Sequence, residues 1–465
     1  MYSDRYLGTD QHSLPLAREL YEVMREYPIL SPHGHVDPAL LLENKPFADP
    51  VELLITPDHY ITRMLISQGV TYEELSIPHA DGSRAVRDPR EVWRILAANW
   101  RAFRSTPSRV WMQEILATLF DIDEIITPER ADHFYDRIDE RLHDSEFLPQ
   151  ALFRRFGIEV LATTDGTSDS LENHTALAAL DLGGRVIPTF RPDDVSDPER
   201  SQWSDSIEAL VASSQQDCDT FAGFLEALRI RRKVFKTHGA TATDHGVVSA
   251  QTLNLSSVEK EKLFAQLLKG EITAANAATF RAVMLLEHAR MAADDGLVMQ
   301  LHPGSCRNYS KEIADRYGRD RGFDIPLPTN YVRELQPLLD EVGFNPNFRM
   351  VLFTLDETAY SRELAPLAGA YPSLRLGPPW WFHDSLNGME RWRDSVIETA
   401  GFYNTVGFID DTRAFCSIPV RHDVARRFDA GYLAREVARH RITKIEALEL
   451  AGDIAYNLSK SYFHL

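Results

Sequence analysis

Cysteine is scarce in this chain. Cys218, Cys306 and Cys416 are odd in number, far apart and form no C-x-x-C pair. That excludes a disulfide framework and fits a reducing compartment. No apolar run approaches the roughly 18 residues that a spanning helix requires. The opening stretch MYSDRYLGTDQHSLPLAREL has no basic-then-apolar signal pattern, so the expected location is cytoplasmic, without a membrane partner. Positive charge is also short: 50 Lys and Arg face 69 Asp and Glu, a net charge of −19. Such a balance argues against nucleic acid and anionic membrane surfaces as partners. An anionic ligand then needs a local cluster of Arg, His or Lys, which makes single arginines worth following. Finally, no G-x-G-x-x-G or G-x-x-x-x-G-K-[ST] follows any candidate strand, and no repeat or low-complexity tract is present.

What is present is ample apolar material, 44% of 465 residues, enough for a large core. Short apolar runs predict eight strands: 27–35, 159–165, 185–192, 234–239, 297–304, 349–357, 374–381 and 405–413. Helical patterns such as SIEALVASSQQDCDTFAGFLEALRIRR and AATFRAVMLLEHARMAADD lie between most of them. Apolar strands alternating with helices indicate a parallel sheet, and eight such units favour an α/β fold of the (β/α)₈ TIM-like barrel type. Roughly 120 residues separate the first two strands, where a crossover needs about a dozen. That stretch reads as helical, in PDHYITRMLISQGV, REVWRILAANWRAFR, SRVWMQEILATLF and RADHFYDRIDERLHD. The expected organisation is residues 1–37 as the N-terminal segment with the first strand, 38–155 as a helical insertion over the barrel mouth, and 156–465 as the remaining barrel with C-terminal helices.

The polar residues that follow each apolar run carry the functional signal. His33 and His35 end the first run, in ILSPHGHVDP. Thr163, Thr164 and Asp165 end the second, Arg191 the third, Lys236 and His238 the fourth, and His302 the fifth. Asp356 and Glu357 close the sixth, Trp380 and Trp381 the seventh, and Asp410, Asp411 and Arg413 the eighth. In a parallel barrel the C-terminal strand ends form the active site. Any one of these residues reads as a solvated loop position, and the whole set points to an enzyme. On a strand, His33 and His35 share a face. With Asp411, and with His302 as a further donor, they make a nitrogen and oxygen set suited to zinc or a similar divalent ion.

This arrangement resembles the amidohydrolase superfamily. The joint occurrence of SPHGHVDP, PDHYITRM, TTDGTSDSLENH, PTFRPDD, MQLHPGSCRN, PWWFHD, GFIDDTRAF and IPVRHDVARR, in this order from about His33 to Arg427, is similar to its uronate isomerase family. Ser31, the Arg307-Asn308-Tyr309 stretch and Thr412 depart from the pattern, as in a divergent branch. The resemblance implies conversion of D-glucuronate to D-fructuronate and of D-galacturonate to D-tagaturonate, with a loosely held metal. Such a reaction needs a base at C2, for which Asp411 beside Arg413 is the candidate, kept ionised by nearby cations. It also needs a polarising group at O1, from His59 or Tyr60, which Thr56-Pro57 would place on a helix's opening turn. Substrate contacts are expected from Arg191, Arg307, Arg413, His302, Trp380 and Trp381. A metal-dependent hydrolase of the same superfamily and a non-catalytic carbohydrate-binding barrel are the competing readings, and a homo-oligomer is compatible with all three.

Overall fold

The computed structural model describes residues 3–8, 10–380 and 383–465. Its main strands are parallel and mostly buried; a short antiparallel pair, Ser305–Cys306 with Ile325–Pro326, stands apart from them. Ile29–Ser31 pairs with Ile158–Ala162, which pairs with Arg185–Ile187. The next residues of the last two strands pair again as Asp165–Gly166 with Phe190–Arg191, and Phe190 then meets Thr243. From there the order runs through Ala242–Val247, Val298–Pro303, Met350–Leu352 and Leu374–Leu376. A single parallel bridge joins Leu376 to Thr405. The backbone of His35 donates to Thr412 O at 2.9 Å, which ties the segment after Thr405 to the first strand.

These strands form because both faces are covered. All six residues of Val298–Pro303 are buried. Met299, Leu301, Met350, Leu352, Leu374 and Leu376 pack against Leu285, Leu286 and Ala289 of the helix Ala274–Asp295. Each such side chain contributes on the order of 1.5–3 kcal/mol when fully buried. That helix starts where the Thr273 side chain accepts from Asn276 N and stops at Gly296, in the left-handed region at φ +76°.

Three strand expectations need correction, the eighth among them: 405–413 contributes the Thr405 bridge and no regular strand. Residues 234–239 are no strand: they lie on and just past the end of the helix Phe221–Thr237. Phe221, Phe224, Leu228 and Phe235 are buried on one face, so a helical period runs through VFKTHG and outweighs its β-branched start. The fourth strand is Ala242–Val247, in ATDHGV. Lys236 and His238 therefore lie away from the strand ends, where Lys236 Nζ donates to Asp295 O and His238 Nδ1 lies 2.9 Å from Val234 O. The first strand, too, stops at Ser31, before the two histidines.

Between Ser31 and Ile158 the chain is helical, including His59–Ile66, Pro89–Asn99, Pro107–Phe120 and Ala131–Leu142. Trp93, Phe103, Phe134, Phe147 and Phe153 fill the core of this stretch. Among the described residues no helix is long and apolar enough to cross a membrane.

Candidate active site

The segment after Ile29–Ser31 turns inward at Pro32 and brings His33 and His35 to Asp411. Their Nε2 atoms lie 3.3 and 3.0 Å from the same Asp411 oxygen, Oδ1. Asp411 holds a left-handed backbone at φ +41°, uncommon for a residue with a side chain. Burial alone would raise its carboxyl, but the two imidazoles outweigh burial and keep it well below the usual carboxylate range. Burial lowers His35, whereas His33 is raised because Asp244 and Asp411 outweigh its desolvation.

Beside this triad lies a second one. Asp244, on the fourth strand, accepts from His302 Nδ1 at 2.7 Å and pairs with Arg191 Nη1 at 3.2 Å. His302 stacks on Phe353 at 4.0 Å and on His33 at 4.6 Å, with Trp380 edge-on at 4.8 Å. Among the described residues, His302 Nε2 is buried without a hydrogen-bond partner, as is His33 Nδ1. Two groups thus place metal-donor atoms within reach of one cation, His33–His35–Asp411 and His33–Asp244–His302. They differ electrostatically. Asp244 already neutralises the Arg191 guanidinium, and a cation beside it would face that arginine, so the first group fits a divalent ion better.

Six of the described arginines line the same cavity, of about 630 Å³, among them the three that the sequence singles out. Arg191 Nε pairs with Asp193 at 2.8 Å, Arg307 Nη1 with Asp324 at 2.9 Å, and Arg413 Nη2 with Asp320 at 3.5 Å. Arg191 and Arg307 converge over Gly246, where a Cβ would lie 2.5 Å from one Nη2 and 3.2 Å from the other. His59 and Tyr60 enter from the helical stretch. Their helix is capped by Asp58, whose side chain accepts from Tyr60 N at 2.8 Å, and not by Thr56. Asp58 wins because Thr56 and Pro57 belong to the turn that ends the preceding helix. The pair still sits on the opening turn, with rings stacked at 4.6 Å. Burial, with Arg413 next, pushes His59 down to about 3, so it is neutral. Burial, with Asp384 next, raises Tyr60 well above the usual phenol range, so it keeps its proton. Behind Tyr60, Arg421 pairs with Asp384 and lies 4.1 Å above the Trp111 ring.

His33, His35, His59, Tyr60, Arg191, His302, Arg307, Trp380, Asp411 and Arg413 all line this one cavity. Trp381 lies outside the described residues. Asp410, the neighbour of Asp411, points away and bonds His422 Nε2 at 3.0 Å. Glu357 pairs with His383 and Arg391, and Asp356 accepts from the backbone of Thr358 and Ala359; neither lines the cavity. The residues that sequence reasoning missed are Asp244, Asp320 and the Asp384–Arg421 pair. Asp244 was accessible in principle, since ATDHGV places a carboxylate and an imidazole within an apolar stretch bounded by glycine and serine.

The family profile described as glucuronate isomerase matches residues 3–463. A uronate isomerase from Xanthomonas euvesicatoria pv. vesicatoria is 51% identical over 465 residues, spanning 100% of this chain and 98% of that protein. The crystal structure of glucuronate isomerase from Caulobacter crescentus matches with a TM-score of 0.97 at 50% identity, covering 100% of this chain and 97% of that one. That of uronate isomerase from Thermotoga maritima matches with a TM-score of 0.92 at 28% identity and 100% coverage of both chains.

Proposed function

The chain belongs to the glucuronate isomerase family, and we propose that this cavity carries out its aldose–ketose isomerisation, D-glucuronate to D-fructuronate and D-galacturonate to D-tagaturonate. The observation that carries the reading is one ionised carboxylate, Asp411, sharing a cavity with a neutral imidazole, a protonated phenol and three arginines. Asp411 takes the proton from C2 of the open-chain sugar. Tyr60 donates a hydrogen bond to the aldehyde oxygen O1 as charge develops there, and His59 orders the phenol by stacking. The proton returns at C1 while the O2–H proton passes to O1 by way of the Tyr60 hydroxyl, which leaves a ketone at C2 and a hydroxyl at C1. Arg413, with Arg191 and Arg307 beside it, holds the C6 carboxylate, and Trp380 and His302 form the wall against the sugar.

His33, His35 and Asp411 are the residues that would hold a divalent cation, zinc by the nitrogen and oxygen chemistry of the donors. Bound there, such an ion supplies Lewis-acid stabilisation of oxygen charge on the sugar.

We read the parallel strands as a closed (β/α)₈ barrel, with 1–37, 38–155 and 156–465 as first strand, insertion over the mouth and remainder. What supports closure is the strand order, the Leu376–Thr405 bridge and the His35–Thr412 backbone bond. What supports an insertion over the mouth is that His59 and Tyr60 line the same cavity as Asp411. An NMR time course with D-glucuronate and D-galacturonate, beside a panel of lactones and N-acyl amino acids, tests the function. Ketose signals from the uronates alone are expected; hydrolysis of the panel without isomerisation would overturn the reading.

A further inference from the structure

A buried charged pair, Arg421 with Asp384, stands behind Tyr60 without reaching the cavity. Arg421 lies near the start of the helix Ser417–Ala438, and Asp384 directly precedes Ser385, the cap of the helix Leu386–Ala400. The two side chains meet through Arg421 Nη2 and Asp384 Oδ2. Asp384 Oδ1 and Arg421 Nε have no further hydrogen-bond partner among the described residues. Two charges taken so fully out of water are costly, and well-packed apolar residues of similar volume often serve a fold as well or better. Stability alone therefore does not account for the pair.

The surroundings of the guanidinium give the pair its direction. Arg421 Cζ lies 4.1 Å from the centroid of the Trp111 ring, a cation–π arrangement, and 5.8 Å from that of Tyr60. Trp111 in turn meets the Tyr60 ring edge-on, at 5.7 Å and 80°. Tyr60 comes from the helix His59–Ile66 and Trp111 from Pro107–Phe120, so Arg421 is where two helices of the stretch between Ser31 and Ile158 meet a helix near the end of the chain. Asp384 fixes the rotation of the guanidinium, the guanidinium seats Trp111, and both stand against the phenol ring. Their charges oppose each other at Tyr60, where Asp384 raises the phenol and Arg421 lowers it. What the pair supplies there is place rather than charge.

We propose that Asp384 and Arg421 are positioning residues: joined to each other and seated on Trp111, they hold the Tyr60 ring where its hydroxyl meets O1 and O2 of the bound sugar. This rests on the reading that the Tyr60 hydroxyl serves those two oxygens. Proton transfer by a positioned group depends on such placement, and a misplacement of about an ångström costs about a hundredfold.

Steady-state kinetics of the full chain with D-glucuronate, in the wild-type and Tyr60→Phe backgrounds, test this. Two changes avoid stranding a buried charge, and either one suffices. Arg421→Lys keeps the pair and removes the flat face on Trp111; Asp384→Asn together with Arg421→Gln removes both charges at once. Each should lower kcat about ten- to hundredfold and leave KM within about twofold, because neither residue lines the cavity. In Tyr60→Phe no hydroxyl is left to misplace, so the same changes should cost less than about twofold more. General damage to the fold lowers kcat alike in both backgrounds. If Tyr60→Phe slows the enzyme but these changes leave kcat unaltered, or cost as much in Tyr60→Phe as in wild type, the proposal falls and the role of Tyr60 stands. If Tyr60→Phe leaves kcat unchanged, the reading of Tyr60 itself falls, and the proposal with it.

Discussion

Replacing Asp411 by Asn keeps the shape of the side chain and removes its charge. In the folded protein both His33 Nε2 and His35 Nε2 lean on one Asp411 oxygen, at 3.3 and 3.0 Å. The amide oxygen of Asn still accepts one such bond, so the local fold survives; an amide, however, takes no proton from carbon. A positioned base contributes about 10²–10⁴-fold, and each factor of ten is about 1.4 kcal/mol of barrier, so kcat for D-glucuronate should fall at least a hundredfold, about 2.7 kcal/mol. The assay is NMR in D₂O, following both ketose formation and loss of the substrate C2–H signal. Wild type should form ketose carrying some deuterium at C1, and Asp411→Asn should stop C2–H exchange. The companion Asp410→Asn loses the charge paired with buried His422. It should cost about 1–3 kcal/mol of stability and keep the exchange. If Asp411→Asn exchanges C2–H at the wild-type rate, the base lies elsewhere, with Tyr60 or His59 next. If wild type moves hydrogen with no solvent exchange at all, a hydride shift or a fully shielded proton is the better account.

Elemental analysis should show less bound metal in His33→Asn and His35→Asn than in wild type; equal content in all three proteins would refute the donor set. Gly246→Ala should push Arg191 and Arg307 apart, because its Cβ would lie 2.5 Å from an Arg191 nitrogen. Steady-state kinetics should then show kcat/KM for D-glucuronate reduced roughly ten- to hundredfold, as misplacement by about an ångström costs. Arg413→Met should depress kcat/KM for uronates far more than for the matching neutral hexose, and equal losses would remove Arg413 from the carboxylate site. Burial opposes ionisation of Glu357, but hydrogen bonds from His383 and Arg391 prevail and bring it down to about 2. Its stabilisation is therefore complete above the unfolded value of about 4.3 and lost as pH falls toward 2. The gap in melting temperature between wild type and Glu357→Gln should be widest near pH 7 and shrink through that window.

The polar strand ends were legible because a strand buried on both faces is a run of apolar residues, and the first polar residue after it marks where the sheet stops. That rule located His302 at the end of Val298–Pro303, Arg191 after Arg185–Ile187, and Asp411 after an eighth run that forms no regular strand. The same rule failed at VFKTHG, because a β-branched start and a closing glycine also describe the last turn of a helix whose buried face began at Phe221. The error had a consequence for chemistry. With the fourth strand set a few residues too early, Asp244 was never weighed, although it orients His302 and neutralises Arg191.

Asp320 was beyond reach for a different reason. In YGRDRGFD a charged residue between glycines reads as a solvated loop tip, and nothing local distinguishes it from one. What makes it matter is that three arginines from elsewhere in the chain surround it. Each of them already has an aspartate at 2.8–3.5 Å. A chain of net charge −19 can therefore gather arginines in one cavity and still give each of these three an aspartate of its own. Two of the arginines stand closer to their carboxylates than the third does. Residue types in a sequence show the charges available, but only the fold shows which aspartate each arginine meets, at 2.8, 2.9 and 3.5 Å.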